Sequence, residues 1–397
     1  MSINNCPVCN SLHLSTVLTR TNIPVFQNVL MTSAQEARQI VRGDLSITEC
    51  SNCGFVFNRT FDSSKVVYDS QYENTQSYST YFEQYLDDLV TDLVTKHGIR
   101  NMNVVEVGCG KGLFLKKIVD FGDNAGYGFD PSYIGPDVLQ EGKLKFEKRL
   151  YDEQCTHVQA DVVICRHVIE HISEPVSLLK AIRNALINSP HAKVFFETPC
   201  VDWILDNKVM FDFFYEHNSY FNRHSITRAF QLAGFDILEV KNVFNGQYLW
   251  IEAQVNTTIE PAHQPKQPLL QDQAKSKLFA QHESRWRETV HYNLEHYLAI
   301  GKTAIWGAGA KGVTFLNLID PDRAYIDFVI DVNPNKIGNF LPGTGHEIVS
   351  IEAIAQRGIS TVIVMNPNYI DENKSLIAKH QIDVKLISIE EWSVNEP

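Results

Sequence analysis

Apolar and polar positions recur with two different periods along this chain, and the change of period marks out its elements. Between Tyr68 and Thr95 the residues Tyr81, Tyr85, Leu86, Leu89, Val90 and Leu93 return every three or four positions, which predicts an amphipathic helix. From Asn103 the pattern becomes a short apolar run (NVVEV), a glycine turn (GCGKG), a helical stretch (LFLKKIVDFG) and a second run (GYGFD). Further runs at Asp161 to Cys165 (DVVIC) and Ala192 to Phe196 (AKVFF), with helical segments between them, predict a parallel α/β sheet continuing to about Val255. Residues 257–268, TTIEPAHQPKQP, read as a linker, followed by a helical segment to about Ile300. The order of strand, glycine turn, helix and strand then returns in TAIWGAGAKG, YIDFVIDVNP and TVIVMNPN, a second and smaller α/β unit.

A chain of 397 residues, 44% hydrophobic, exceeds what one core supports. The expected domains are residues 1–66, with too little apolar sequence to fold alone, 67–256, a linker and helix at 257–290, and 291–397. A formal charge of −12 argues against nucleic acid or anionic lipid as a partner. No run of about 20 apolar residues appears, and MSINNCPVCN has neither a charged nor an apolar leader segment. The expectation is a cytoplasmic protein, a monomer or weak homo-oligomer, acting on a small molecule.

Eight cysteines in a reducing compartment are not a disulfide scaffold. Cys6-x-x-Cys9 and Cys50-x-x-Cys53 have the spacing of two knuckles closing a tetrahedral thiolate site. Four sulfurs complete the shell, so a structural zinc is expected, with thiol redox chemistry the competing reading.

Glu106-x-Gly108-x-Gly110-x-Gly112 follows the first strand of the larger α/β unit and precedes a helix, where glycines let backbone amides approach a ligand. Taken alone, the turn fits any nucleotide, or only a tight connection. The acidic residue in the turn and Asp130, which ends the next strand before Pro131 and can accept both ribose hydroxyls, select S-adenosylmethionine (SAM) over a dinucleotide. Asp161, at the start of its strand, reads as structural. His167, Glu170 and His171 in CRHVIEHISEP follow a strand end, near the transferable methyl group. On a helix starting at His167, that residue and His171 would share a face, which leaves a metal pair as a minor reading.

The segment VVEVGCGKG with GYGFD looks like the motifs of class I SAM-dependent methyltransferases, over about Val104 to Gly234. FDFFYEHNSYF, residues 211–221, groups Tyr215, Glu216, His217 and Tyr220 among aromatics. With the two Cys pairs, ECSNCGFVFNRTFD, GQYLWIEA, GAGAKG and NPNKIGNFLPGT, the layout resembles the sugar C-methyltransferases of deoxysugar biosynthesis over nearly the full chain. The resemblance implies a zinc-binding N-terminal domain, a Rossmann-like class I methyltransferase core and a C-terminal Rossmann-like domain. It implies a nucleotide-linked 4-keto hexose as substrate, deprotonated alpha to the ketone, with the enolate carbon attacking the SAM methyl. By motif, His217 would be the base, Glu216 would orient substrate or base, and His171 would stabilise charge on the enolate oxygen. Tyr215 joins them as a catalytic candidate, and Tyr72, Tyr78, Tyr220 and Lys311 are candidate substrate contacts.

The chain departs from the family where a tyrosine usually stands two residues before the glutamate: here that residue is Phe214, with Tyr215 in place of the commoner histidine. O-methylation of a sugar or other small molecule therefore stays open. Gly307-x-Gly309-x-x-Gly312, with Asp331 ending the next strand, is a dinucleotide-like fingerprint. The C-terminal unit can be a substrate-side scaffold, a site for the sugar's nucleotide or another phosphate, or an NAD(P) site.

Overall fold

The structure is a computed structural model that describes residues 3–66, 72–256 and 270–392, with side chains from 274 onward in the last stretch. The stretch 257–268 read as a linker, Tyr68 and the boundary at residues 66 and 67 lie outside or at the edge of the described residues. Among the described residues there are three sheets.

The N-terminal strands β1 (Leu14–Pro24), β2 (Arg42–Cys50) and β3 (Val56–Asn58) pair antiparallel in sequence order. The central sheet then takes β4 (Asn103–Val107), β5 (Ala125–Phe129), β6 (Val138–Leu139), β7 (Leu144–Glu147), β8 (Val162–Arg166) and β9 (Lys193–Pro199). Two residues, β10 (Ser219–Tyr220), return to the first sheet and pair with Val56 and Phe57. The N-terminal module is thus completed by sequence far downstream, which is how a segment with so few apolar residues acquires a core. Strands β11 (Phe235–Val243) and β12 (Tyr248–Val255) close the central sheet in the order β11-β12-β9-β8-β4-β5-β7-β6. Strands β7, β5, β4, β8 and β9 run parallel, and β12 enters antiparallel beside β9.

The parallel strands are near-continuous apolar runs because both faces are covered. Val104, Val162, Ile164 and Phe195 meet the helices Thr80–Thr95 and Leu113–Gly122 on one face. Val105, Val107, Val163, Cys165 and Phe196 meet the helices Pro175–Ala185 and Arg223–Leu232 on the other. The chain steps from β4 outward to β5 and later from β8 to β9 in the opposite direction, so a crevice opens between the C-terminal ends of β4 and β8. This is where open α/β sheets bind ligands.

The third sheet, β13 (Lys302–Trp306), β14 (Val329–Ile330), β15 (Ile348–Val349), β16 (Ile359–Val364) and β17 (Lys385–Ser388), is parallel throughout with the order β15-β14-β13-β16-β17. The expected boundary after residue 290 falls inside one helix, Leu270–Ile300. Its Phe279, Trp286, Val290 and Leu294 recur at helical spacing and are buried against both the N-terminal sheet and the C-terminal domain, so tertiary packing carries the helix past that point. Similarly, the helix expected from residue 68 begins at Thr80, where Ser79 accepts the Phe82 N–H and sets its N-terminus. None of the helices among the described residues is long and apolar enough to cross a membrane.

Candidate active site

Gly108, Gly110 and Gly112 all have positive φ, at 72°, 53° and 73°. A side chain at Gly108 would overlap Val168, and one at Gly112 would overlap Phe146, whereas nothing lies within 4 Å of the same point at Gly110. Gly112 precedes the helix Leu113–Gly122 without any side-chain cap, leaving amides for a ligand. Asp130 braces the turn: one carboxylate oxygen accepts the Gly110 N–H at 2.8 Å, the other the Ser132 N–H at 2.7 Å and its hydroxyl at 2.6 Å. The oxygen that accepts only the Gly110 N–H keeps acceptor capacity for a ligand hydroxyl. Pro131, which follows, is exposed. Glu106 differs from its expected role as a cofactor contact. Its carboxylate is buried beneath the turn, accepts the Leu115 N–H at 3.1 Å and is pushed up to about 8 by desolvation, so it joins the turn to the helix rather than meeting a ligand. Asp161 accepts the Asn103 N–H at 2.8 Å and is structural, as read from sequence.

Gly108→Ala is expected to weaken binding of S-adenosylhomocysteine roughly 5- to 150-fold, the equivalent of about 1–3 kcal/mol of backbone strain. Calorimetry on a variant with an unchanged circular dichroism spectrum checks this; unaltered affinity would exclude the turn as the cofactor site.

At the ends of β8 and β9 lies a buried charge network. Glu197, fully buried, accepts from Arg166 at 2.9 Å, pairs with His167 Nε2 at 2.7 Å as a charge contact rather than an aligned hydrogen bond, and receives the Tyr85 hydroxyl. Despite burial, Arg166 and His167 hold the Glu197 carboxyl down to about 2, while Glu170 and Glu197 raise His167 to about 9. His167 has a left-handed backbone, φ 54°, and the helix expected from it is only a 3-10 turn, Ile169–His171. His167 and His171 therefore do not share a helical face. The groups that converge are Glu170, His171 and His217, with donor atoms within 4.8 Å of one another. Sequence reasoning missed Tyr85, Arg166 and Glu197; the only signal was a lone acid ending the AKVFFETP run.

The segment 211–221 divides its side chains. Asp212, Phe214 and His217 line the cleft. His217 lies tilted against Phe214, ring centroids 4.2 Å apart, and meets His171 edge-on at 4.7 Å, and burial together with the neighbouring histidine holds it well below 6.5. Tyr215, expected to be catalytic, points into the N-terminal module instead: its hydroxyl accepts the Asp62 N–H at 2.9 Å, and its ring occupies the space a side chain at Gly43 would take. Glu216 is buried behind the cleft, accepts the Gln27 N–H at 3.1 Å, and is pushed up to about 8 by desolvation. Tyr220, expected to touch substrate, is buried with its hydroxyl bridging the Phe214 N–H and C=O, both at 3.1 Å. These three hold His217 in place: consecutive residues of a non-helical stretch point in different directions, and of residues 211–221 only Asp212, Phe214 and His217 line the cleft. Arg20 of β1 anchors the same stretch by donating to Met210 O at 2.6 Å and Phe213 O at 3.0 Å.

The cleft, about 290 Å³, has His167, His171, His217 and Tyr248 on one wall and Gly307, Gly309, Lys311 and Asp331 on the other, with Tyr72 and Tyr78 between them. Asp331 accepts the Ala308 N–H at 2.8 Å and the Asn333 N–H at 2.9 Å, the same bracing that Asp130 gives the first glycine turn. Gly312 packs against Gly307 O, while Gly309 has open space above it. Lys311 is ion-paired with Asp212 at 2.9 Å and lies over Trp203. A second lysine, Lys336, is buried and donates to Ala308 O at 3.0 Å. It belongs to the NPNKIGNFLPGT segment but was not among the candidate site residues read from sequence.

In the N-terminal module, the sulfurs of Cys6, Cys9, Cys50 and Cys53 lie within 4.8 Å of one another, with Cys6 to Cys53 and Cys9 to Cys50 each at 3.6 Å. That separation is far too long for a disulfide and close to the roughly 3.8 Å edge of a tetrahedron with metal–sulfur bonds of about 2.3 Å.

Residues 78–240 match a family described as a methyltransferase domain, and residues 254–384 one described as a C-methyltransferase C-terminal domain. The ubiquinone biosynthesis O-methyltransferase of Colwellia psychrerythraea is 25% identical over 125 residues, covering 30% of this chain and 50% of that protein. The tRNA U34 carboxymethyltransferase of Campylobacter fetus is 27% identical over 169 residues, covering 38% and 57%. The chain thus spans about half the length of these curated relatives. Magnesium protoporphyrin IX methyltransferase from Synechocystis PCC 6803 is similar to 47% of this chain and 89% of its own, at 18% identity and a TM-score of 0.35.

Proposed function

We propose, for a chain that is a SAM-dependent methyltransferase in fold and in domain content, that it is a cytoplasmic enzyme methylating a nucleotide-linked sugar at carbon, alpha to a ketone. The observation that carries this reading is a partly buried imidazole, His217, beside the His171 ring in a cleft also lined by a second glycine turn with open space at Gly309. Gly108, Gly110 and Asp130 would hold SAM, and Gly309 and Lys311 the substrate's diphosphate.

His217 takes the proton from the carbon next to the ketone, and the C–H electron pair moves into the enolate. SAM, if held by the first glycine turn and Asp130, would supply an electrophilic methyl group to that carbon, and His217 would keep the abstracted proton. The Nδ1–H of His171 donates to Glu216 O at 3.1 Å, so its Nε2 is the unprotonated nitrogen. In this tautomer His171 is suited to accept a proton, not to stabilise an oxyanion. A donor for the oxyanion would come instead from Lys336, which lines the same cleft, since both ring nitrogens of His167 face the carboxylates of Glu170 and Glu197. The four thiolates would hold a structural zinc.

Phe214, which brings no hydroxyl to the cleft, favours O-methylation as the second reading. Solvent deuterium exchange at the carbon next to the ketone, without SAM, is expected for C-methylation and not for O-methylation. Labelled SAM offered with keto and reduced nucleotide sugars, products read by NMR, is expected to label the keto sugars at carbon; labelling of reduced sugars at oxygen would replace this reading by the second.

A further inference from the structure

The two glycine turns follow strands of different sheets, and one carboxylate reaches the first turn and the loop whose Asp331 braces the second. Glu73, almost wholly buried, accepts from Lys111 Nζ at 2.8 Å, and Lys111 stands between Gly110 and Gly112 in the first turn. The same carboxylate accepts Asn333 Nδ2 at 3.2 Å and Asn335 Nδ2 at 3.1 Å, from the loop that follows β14 and Asp331 in the C-terminal domain. It also accepts the Thr75 N–H at 3.0 Å, while Thr75 Oγ1 lies 3.0 Å from Lys111 Nζ. The first turn is therefore held from inside by Asp130 and from outside by Glu73.

The far end of this connection is tied to the C-terminal domain as well. Glu372 accepts the Ser79 hydroxyl at 2.5 Å and the Thr80 N–H at 2.6 Å, where the helix Thr80–Thr95 begins. Between the two anchors, Thr75, Gln76 and Tyr78 border the cleft. A buried carboxylate with one cation and three neutral donors is fully satisfied, and removing any partner leaves charge or polar atoms unpaired. Such a network has one preferred arrangement, and both turns bear on it.

We propose that Glu73 is a positioning residue that makes the C-terminal domain part of the cofactor site, so that contacts from Asn335 set how tightly the first glycine turn holds SAM. The proposal rests on the reading of that turn as the SAM site. Because linkage is reciprocal, a ligand that orders the Asn333–Asn335 loop raises SAM affinity by the same factor that SAM raises its own. Substrate and cofactor are then captured together.

The test uses the full chain and S-adenosylhomocysteine as probe, with affinity measured by calorimetry. Asn335→Ala removes a side chain that does not line the cleft, and it is expected to weaken binding about five- to tenfold. Glu73→Ala should weaken it at least as much, and adding Asn335→Ala to it should change nothing further. Glu73→Gln keeps the acceptors for Thr75 and one asparagine but loses the Lys111 ion pair; it should fall between wild type and Glu73→Ala, and it carries the test if Glu73→Ala does not fold. An unchanged affinity in Asn335→Ala, or additive losses in the double variant, would overturn the coupling while leaving the SAM site intact. Failure of the wild-type chain to bind S-adenosylhomocysteine would overturn the site and the coupling together.

Discussion

Replacing His217 by Ala is expected to reduce turnover about 10²- to 10⁴-fold, the usual contribution of a positioned general base, while S-adenosylhomocysteine binds with nearly wild-type affinity. The two effects separate because His217 lines the cleft, whereas the turn at Gly108 to Gly112 and Asp130, proposed to hold SAM, do not line it. The pH profile provides a second readout. Burial and the His171 ring hold the His217 pKa well below that of free imidazole, and catalysis needs the neutral form. The acid limb of the rate should therefore lie below pH about 6.5 rather than at it, with full activity through neutrality. Single-turnover rates across pH 5 to 8 would show this; wild-type turnover in His217→Ala would remove the residue from the base role.

Stripping the zinc proposed for the four thiolates, or replacing Cys53 by Ser, is expected to lower the melting temperature markedly and to abolish turnover, although no cysteine of the cluster lines the cleft. Structural zinc sites contribute folding free energy directly, on the order of 10 kcal/mol in small modules and less where a packed core shares the load. The route to the active site is visible in the hydrogen bonds. Cys53 and Gly54 lead straight into β3, whose Val56 and Phe57 pair with Tyr220 and Ser219. The Asn58 N–H donates to Asn218 O at 2.9 Å, and Asn222 Nδ2 donates to Gly54 O at 3.3 Å. Every one of these contacts flanks His217. The loss of turnover should accordingly precede the loss of S-adenosylhomocysteine binding as chelator is added. Elemental analysis showing that the metal has gone, with melting and turnover both unmoved, would refute a structural role.

The sequence by itself determined the features whose cause is local. A glycine turn between strand and helix is legible because positive φ at Gly108, Gly110 and Gly112, and free amides at a helix start, demand those residues at that spacing. The place of Asp130 beside that turn was legible as a strand end at a fixed distance from it, but its hydrogen bond to the turn itself was not. Two Cys-x-x-Cys pairs are legible because each knuckle is one short turn. The apolar periods gave the α/β alternation of both larger units.

Tertiary structure alone decided which side chains meet. Tyr215, Glu216 and His217 are neighbours in sequence, yet only His217 faces the cleft, since a stretch with neither helical nor strand period has no rule for side-chain direction. The network of Tyr85, Arg166 and Glu197 comes from three separate elements, and no spacing encodes a meeting that depends on how a helix crosses a sheet. Likewise Glu73 acquires its role only because the C-terminal domain docks Asn333 and Asn335 beside it. Local backbone demands leave a mark on each residue involved; long-range contacts are fixed by the packing of whole elements, and that information is spread over all of them.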